Sequence, residues 1–223
     1  MKTFNGFKKA ITFSYDDGCF QDVRLIELFD KYGLKCTFNL NSGLAGKGRR
    51  LPLSEIGKVY KNHEVAVHTL THPFLNTLPD DQIIREIEED RITLEDLVGY
   101  GICGMAYPYG SPNIDERVID IVKNKTDIKY ARATRSTKSF DVQYDLLDFR
   151  PTIHHNQFDI LFELANRFVN LTSDKPQLFY VWGHSYEFDE DGGIYWDKFE
   201  EFCKIISNKN DIFYGTNKEV FFQ

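Results

Sequence analysis

Residues 10–18 read Ala-Ile-Thr-Phe-Ser-Tyr-Asp-Asp-Gly, and they decide how the rest of the chain is read. A short apolar, β-branched and aromatic run predicts a buried strand; the two carboxylates and glycine after it mark its exit into a loop. Working outward, 22–31 repeats its apolar residues with helical period, and 36–40 is a second strand-like run. The alternation then continues. Strands are predicted at 10–15, 36–40, 64–68, 102–107, 128–134, 146–153 and 178–184, and helices at 22–31, 53–62, 80–98, 113–123, 159–171 and 197–207. Ser111-Pro112 suits a helix cap and first position, and Thr216-x-x-Glu219 is a capping box before a short terminal helix. About seven strands with helices between them predict an α/β fold with a parallel sheet, a distorted (β/α) barrel. An open doubly wound sheet has the same periodicity. With no internal repeat or linker, residues 1–223 are expected to form one domain.

Composition excludes several classes. The chain carries 27 Lys and Arg against 34 Asp and Glu, a net charge of −7, which argues against nucleic-acid and anionic-membrane partners. The basic stretch 46–50 (GKGRR) is short and glycine-spaced, and reads as a solvated loop. No apolar run approaches the ~18 residues that span a bilayer. The N-terminus has no apolar signal core, so a cytoplasmic location is expected for the chain as given, and a secreted one if a leader was removed. Cys19, Cys36, Cys103 and Cys203 are scattered without a CxxC pair, which suits reduced thiols. The many aromatics suit a large core first and a sugar-stacking surface second.

In parallel α/β sheets the chemistry gathers where loops converge at the C-terminal strand ends. Asp16-Asp17, His68 and His72, residues 107–110 (Tyr-Pro-Tyr-Gly), Arg132 and Arg135, and His184 all fall there. Adjacent carboxylates repel, and a cation that holds one relieves this; a simple turn is the plainer reading of Asp-Asp-Gly. Two histidines four apart can share one ion, with zinc the natural occupant, although an HExxH pattern is absent. His63, at the start of its strand, is expected at the surface. Each of these residues also has an ordinary structural reading; their shared face is what favours chemistry.

The order YDDG (15–18), HTLTH (68–72), YPYG (107–110) and then VWGH (181–184) resembles the polysaccharide deacetylases, carbohydrate esterase family 4 with its NodB homology domain. The resemblance runs from residue 11 to 184 and the helix beyond. It implies a distorted barrel and a single catalytic domain. It also implies a divalent metal, zinc first with Co, Mn or Ni as alternatives, held by Asp17, His68 and His72. Asp16 matches the family's base, His184 its acid, and Tyr109 the residue whose backbone N–H stabilises the oxyanion. The implied partner is an N- or O-acetylated carbohydrate, with Tyr107, Pro108, Trp182 and Tyr186 as substrate contacts. In this scheme water on the metal attacks the acetyl carbonyl, Asp16 takes its proton and His184 protonates the leaving group.

One departure stands out. The family's third motif usually begins with arginine, and here that position is Ala106. Arg132, at the end of the next strand, is the expected replacement, with Arg135 second. The loop 186–196 is expected to fold over the mouth with Tyr186, Tyr195 and Trp196 as stacking faces, its acidic run solvated. An EF-hand counted from Glu187 fails, because its twelfth position is Lys198. His154 and His155 follow Arg150-Pro151, with one facing the pocket or both at its rim. Two other functions stay open: a hydrolase of a non-sugar amide or other C–N bond, and a non-catalytic carbohydrate-binding barrel. A binder has no use for the Asp16 and His184 pair.

Overall fold

The computed structural model describes residues 3–222. In chain order the elements are β1 (Lys9–Asp16), α1 (Asp22–Lys31), β2 (Cys36–Leu40), α2 (Leu53–Val59), β3 (Glu64–Val67), α3 (Asp80–Val98), β4 (Gly104–Ala106) and α4 (Glu116–Lys125). There follow β5 (Tyr130–Arg132), β6 (Ile153–His154), α5 (Phe158–Val169), β7 (Gln177–His184), α6 (Ile194–Ile206), β8 (Ile212–Tyr214) and α7 (Asn217–Phe221). Seven strands in the order β5-β4-β3-β2-β1-β7-β6 form one parallel sheet curled into a half-barrel. The eighth, β8, pairs with Lys9–Ile11 on the edge of β1 that β2 occupies only from Phe13 onward.

Every residue of β1 is buried, as a near-continuous apolar run predicts for a central parallel strand. Phe13 packs on Phe29 of α1 at 4.7 Å and edge-on against Phe199 and Phe202 of α6. The aromatic excess is therefore mostly core. Each such ring contributes roughly 1.5–3 kcal/mol by leaving water. No helix among the described residues is long and apolar enough to cross a membrane.

Four local expectations are corrected. The run 146–153 is a strand only at Ile153–His154. Upstream, the Asp145 carboxylate accepts from Leu147 and Asp148 N–H and turns the chain, and Pro151 has no N–H to give. This segment still lies along β5, with Phe149 and Ala131 bonded at 3.0 Å. Ser111-Pro112 begins a single 3₁₀ turn, and α4 starts after Asp115, whose carboxylate accepts from Val118 N–H at 2.8 Å. β8, three residues long, is too short to stand out in the sequence. His63 is buried: its Nδ1 accepts from Cys36 N–H at 3.2 Å, and Nε2 lies 3.4 Å from Asp30. The capping box at Thr216 and Glu219 is present.

Candidate active site at the strand ends

The C-terminal ends of β1, β3, β4 and β7 surround a cleft of about 510 Å³ lined by Asp16, Asp17, His68, His72, Trp182 and His184 among others. Register does much of the positioning, since Asp16 sits opposite Asn39 of β2 and His184 of β7. Four of the non-glycine residues with positive φ are also here: Asp17 (81°), Thr69 (65°), His72 (59°) and Tyr109 (58°). For β-branched Thr69 this is a true outlier, and such strain concentrates at functional sites.

The ligand atoms of Asp17, His68 and His72 lie within 4.8 Å of one another. His68 Nδ1 is 2.8 Å from the Ala106 carbonyl, a contact that puts the proton on Nδ1 and leaves Nε2 as a lone pair. The His68 backbone N–H donates to Leu40 and, at 3.2 Å, to buried Asp90. Asn41 ties down the carbonyls of His68 and Thr69, and His72 N–H donates to Thr69 Oγ1 at 3.1 Å. Burial pulls His72 below the usual imidazole range, to about 4, towards the neutral form a metal requires. One carboxylate and two imidazoles, open on the cleft side, fit a catalytic divalent site with room for water. Sequence reasoning missed Arg50 here. It is no solvated loop residue, because its Nη2 pairs with Asp17 Oδ1 at 2.9 Å.

Beside this cluster, Arg132 is fully buried (0% exposed) and donates from Nη2 to Asp16 Oδ2. Its Nε donates to Ser14 Oγ at 3.2 Å, and its guanidinium lies 4.4 Å over the Trp182 ring. Asn39 donates to Asp16 Oδ1 at 2.8 Å, so both oxygens are held. Burial pushes the Asp16 pKa up, but the Arg132 guanidinium beside it outweighs this and holds it at about 2. Arg135 is exposed and makes no contact with Asp16. Ala106 therefore supplies only its carbonyl, to His68.

Across the cleft, His184 Nδ1 is 3.3 Å from Glu187 Oε2, which accepts the His184 backbone N–H at 2.9 Å. Burial lowers the His184 pKa, but Glu187 and Asp16 outweigh this and raise it. Glu187 was hidden in what the sequence presented as a solvated acidic run. Its one signal is spacing: a glutamate three residues after a strand end reaches back to that residue's N–H, as in a capping box. Tyr109, 50% exposed, stacks on Phe74 at 4.0 Å, and its backbone N–H has no partner among the described residues.

The remaining candidates divide. Tyr107 and Trp182 are buried with one face on the cleft, the Tyr107 hydroxyl donating to Leu147 O at 2.9 Å. Tyr186 lines the cleft under the Arg49 guanidinium. Pro108 is buried in the turn, where its carbonyl accepts from Asn113. Trp196 is no stacking face: it is buried against Phe188 and donates to Asp189 at 2.8 Å. Tyr195 packs on Phe158. His154 lines the cleft and His155 lies wholly behind it.

A parallel half-barrel with this strand-end cluster is the NodB type of fold. The chain belongs to the polysaccharide deacetylase family, whose model matches residues 5–130. Among curated proteins none matches. Solved structures share the fold at low identity. A polysaccharide deacetylase from Bacillus cereus aligns with TM-score 0.59 at 16% identity, over 93% of this chain and 91% of that one. A family 4 carbohydrate esterase from Streptomyces lividans, solved with acetate, gives 0.57 at 12% identity, over 90% and 88%. A CE4 family pseudoenzyme from Bacillus anthracis gives 0.62 at 16%; 96% of this chain spans 65% of that one.

Proposed function

We propose that this chain is a single-domain, metal-dependent hydrolase that removes N- or O-linked acetyl groups from a carbohydrate. One neighbour in fold is a pseudoenzyme, so fold alone does not carry activity. The observation that supports turnover here is the buried Arg132–Asp16 pair beside Asp17, His68 and His72, with His184 opposite in register, its pKa raised by Glu187 and Asp16.

A divalent ion held by Asp17, His68 and His72, zinc first and Co, Mn or Ni as substitutes, supplies an acidified water and polarises the acyl oxygen. Asp16, kept ionised and fixed in rotamer by Arg132 and Asn39, accepts the proton of the attacking water. The free Tyr109 N–H meets the oxygen that becomes negative. His184, oriented by Glu187, gives its proton to the departing nitrogen or oxygen as the acyl bond breaks. The exposed Tyr109 and Phe74 rings, with Tyr186, offer apolar faces to a sugar.

The test is acetate release by the metal-loaded chain from acetylated xylan, chitooligosaccharides and peptidoglycan fragments, run beside acylated amines that contain no sugar. Release from a sugar that disappears in Asp16→Asn supports the proposal. Turnover of the non-sugar amides alone transfers the same machinery to the C–N hydrolase reading, and sugar binding without any turnover makes the chain a binder.

A further inference from the structure

Behind the cleft, Glu187 Oε2 is approached by three imidazoles besides the His184 backbone: His154 Nε2 at 3.3 Å, His155 Nε2 at 3.4 Å and His184 Nδ1 at 3.3 Å. His155 is the unusual one. It is 0% exposed, and neither ring nitrogen has a hydrogen-bond partner. Its ring is clamped between Tyr15 (5.4 Å, 13°) and Phe188 (4.2 Å, 18°). The space for it exists because residue 183 is glycine, where a Cβ would stand 2.0 Å from His155 Nδ1. A buried polar ring with both nitrogens unpaired calls for a missing partner.

We infer that His154, His155 and Glu187 form a second divalent-cation site, of the zinc class, separate from Asp17, His68 and His72. The three ligand atoms lie within 4.8 Å of one another. Donors bound tetrahedrally at ~2.0–2.1 Å stand roughly 3.3–3.4 Å apart, the separation of Oε2 from both ring nitrogens. The His155 contact is not aligned as a hydrogen bond, which suits two lone pairs aimed at one point. Burial holds His155 far on the neutral side, the form that ligates. Two imidazoles and one carboxylate favour zinc, cobalt or nickel over magnesium or calcium.

The site has a built-in weakness. His154 Nδ1 lies 3.3 Å from the Asn156 N–H, a contact that places the ring proton on Nε2. Binding through Nε2 needs that proton released or moved to Nδ1 and the ring turned from Asn156. The second site should therefore load after the first.

The experiment is zinc and cobalt titration of the chelator-stripped chain, with stoichiometry read by elemental analysis and cobalt absorption. The parent should bind two equivalents, the second at least tenfold weaker. Glu187→Gln, which keeps the side-chain shape, should lose only the weaker one; His72→Gln should lose only the tighter. His154→Gln, at the cleft wall, serves as the second probe, and circular dichroism checks folding. One equivalent in the parent that survives Glu187→Gln and His154→Gln, or two retained in both variants, overturns the inference. A single equivalent that survives His72→Gln and vanishes in Glu187→Gln keeps this site and removes the first.

Discussion

Arg132 reaches the Asp16 carboxylate from β5, four strands away from β1 across the sheet and 116 residues later in the chain. Both partners are buried, so the pair is isolated from water. Removing one partner of such a pair typically costs ~3–5 kcal/mol, because the other charge stays behind. Arg132→Ala should thus lower the melting temperature and cut turnover. Because the guanidinium is the main force holding the Asp16 pKa down at about 2, the acidic limb of the pH–rate profile should move to higher pH. Arg132→Lys should recover part of the rate, since an ammonium keeps the charge but not the planar fork. An unmoved acidic limb in Arg132→Ala would reduce the arginine to a structural residue.

His184→Ala separates proton donation from metal binding. Its ring belongs to neither candidate ion site, so metal content should stay at the parent value. Turnover on an acetylated sugar should fall by ~10²–10⁴, the usual span for a lost general acid. Aryl acetates, whose leaving groups need little protonation, should suffer much less. Equal losses on both substrates, measured side by side, would count against the acid role.

The sequence exposed this site unevenly, for physical reasons. Asp16, Asp17, His68 and His184 were legible because each ends an apolar run, and a parallel sheet sends all such ends to one face. The choice between Arg132 and Arg135 was not, since it depends on where β5 stops pairing with β4, a tertiary fact. Arg50 and Glu187 were hidden for a related reason. Charged loop residues read as solvated until the fold turns one back onto Asp17 and the other onto the His184 N–H. His63 misled because its partner, the Cys36 N–H, comes from the neighbouring strand.

Gly183 should be intolerant of a side chain. It lies in β7 opposite Tyr15, and a Cβ there would stand 2.0 Å from His155 Nδ1. His155 cannot retreat, because Tyr15 and Phe188 hold both faces of its ring. Gly183→Ala is expected to destabilise by ~1–3 kcal/mol, the range for overpacking a core. Gly101→Ala, whose Cβ would meet nothing nearer than Glu95 at 3.9 Å, is the control. Urea unfolding of the two variants would expose any error: similar midpoints mean the His155 pocket has slack.

Asp22 gives the fold a pH dependence of a definite sign. Its carboxyl is buried at the start of α1, accepts the Tyr60 hydroxyl at 2.7 Å, and is pushed by burial from 3.8 up to about 7. Unfolded, it returns to ~3.9. Between those values the folded chain keeps a proton that the unfolded chain has lost, so stability is full below about pH 4 and drains away as pH rises through 7. Asp90, buried under Ser42 and His68 and likewise raised to about 7, acts in the same direction. The metal-free parent should therefore unfold at lower urea at pH 8 than at pH 5. Asn is uncharged at both values and its carbonyl can still accept from Tyr60. Asp22→Asn should then lose part of that slope, with Asp90 supplying the remainder, and gain stability relative to the parent mainly at pH 8. A parent and variant with parallel pH–stability curves would mean that Asp22 stays ionised in the fold and does not carry this pH dependence.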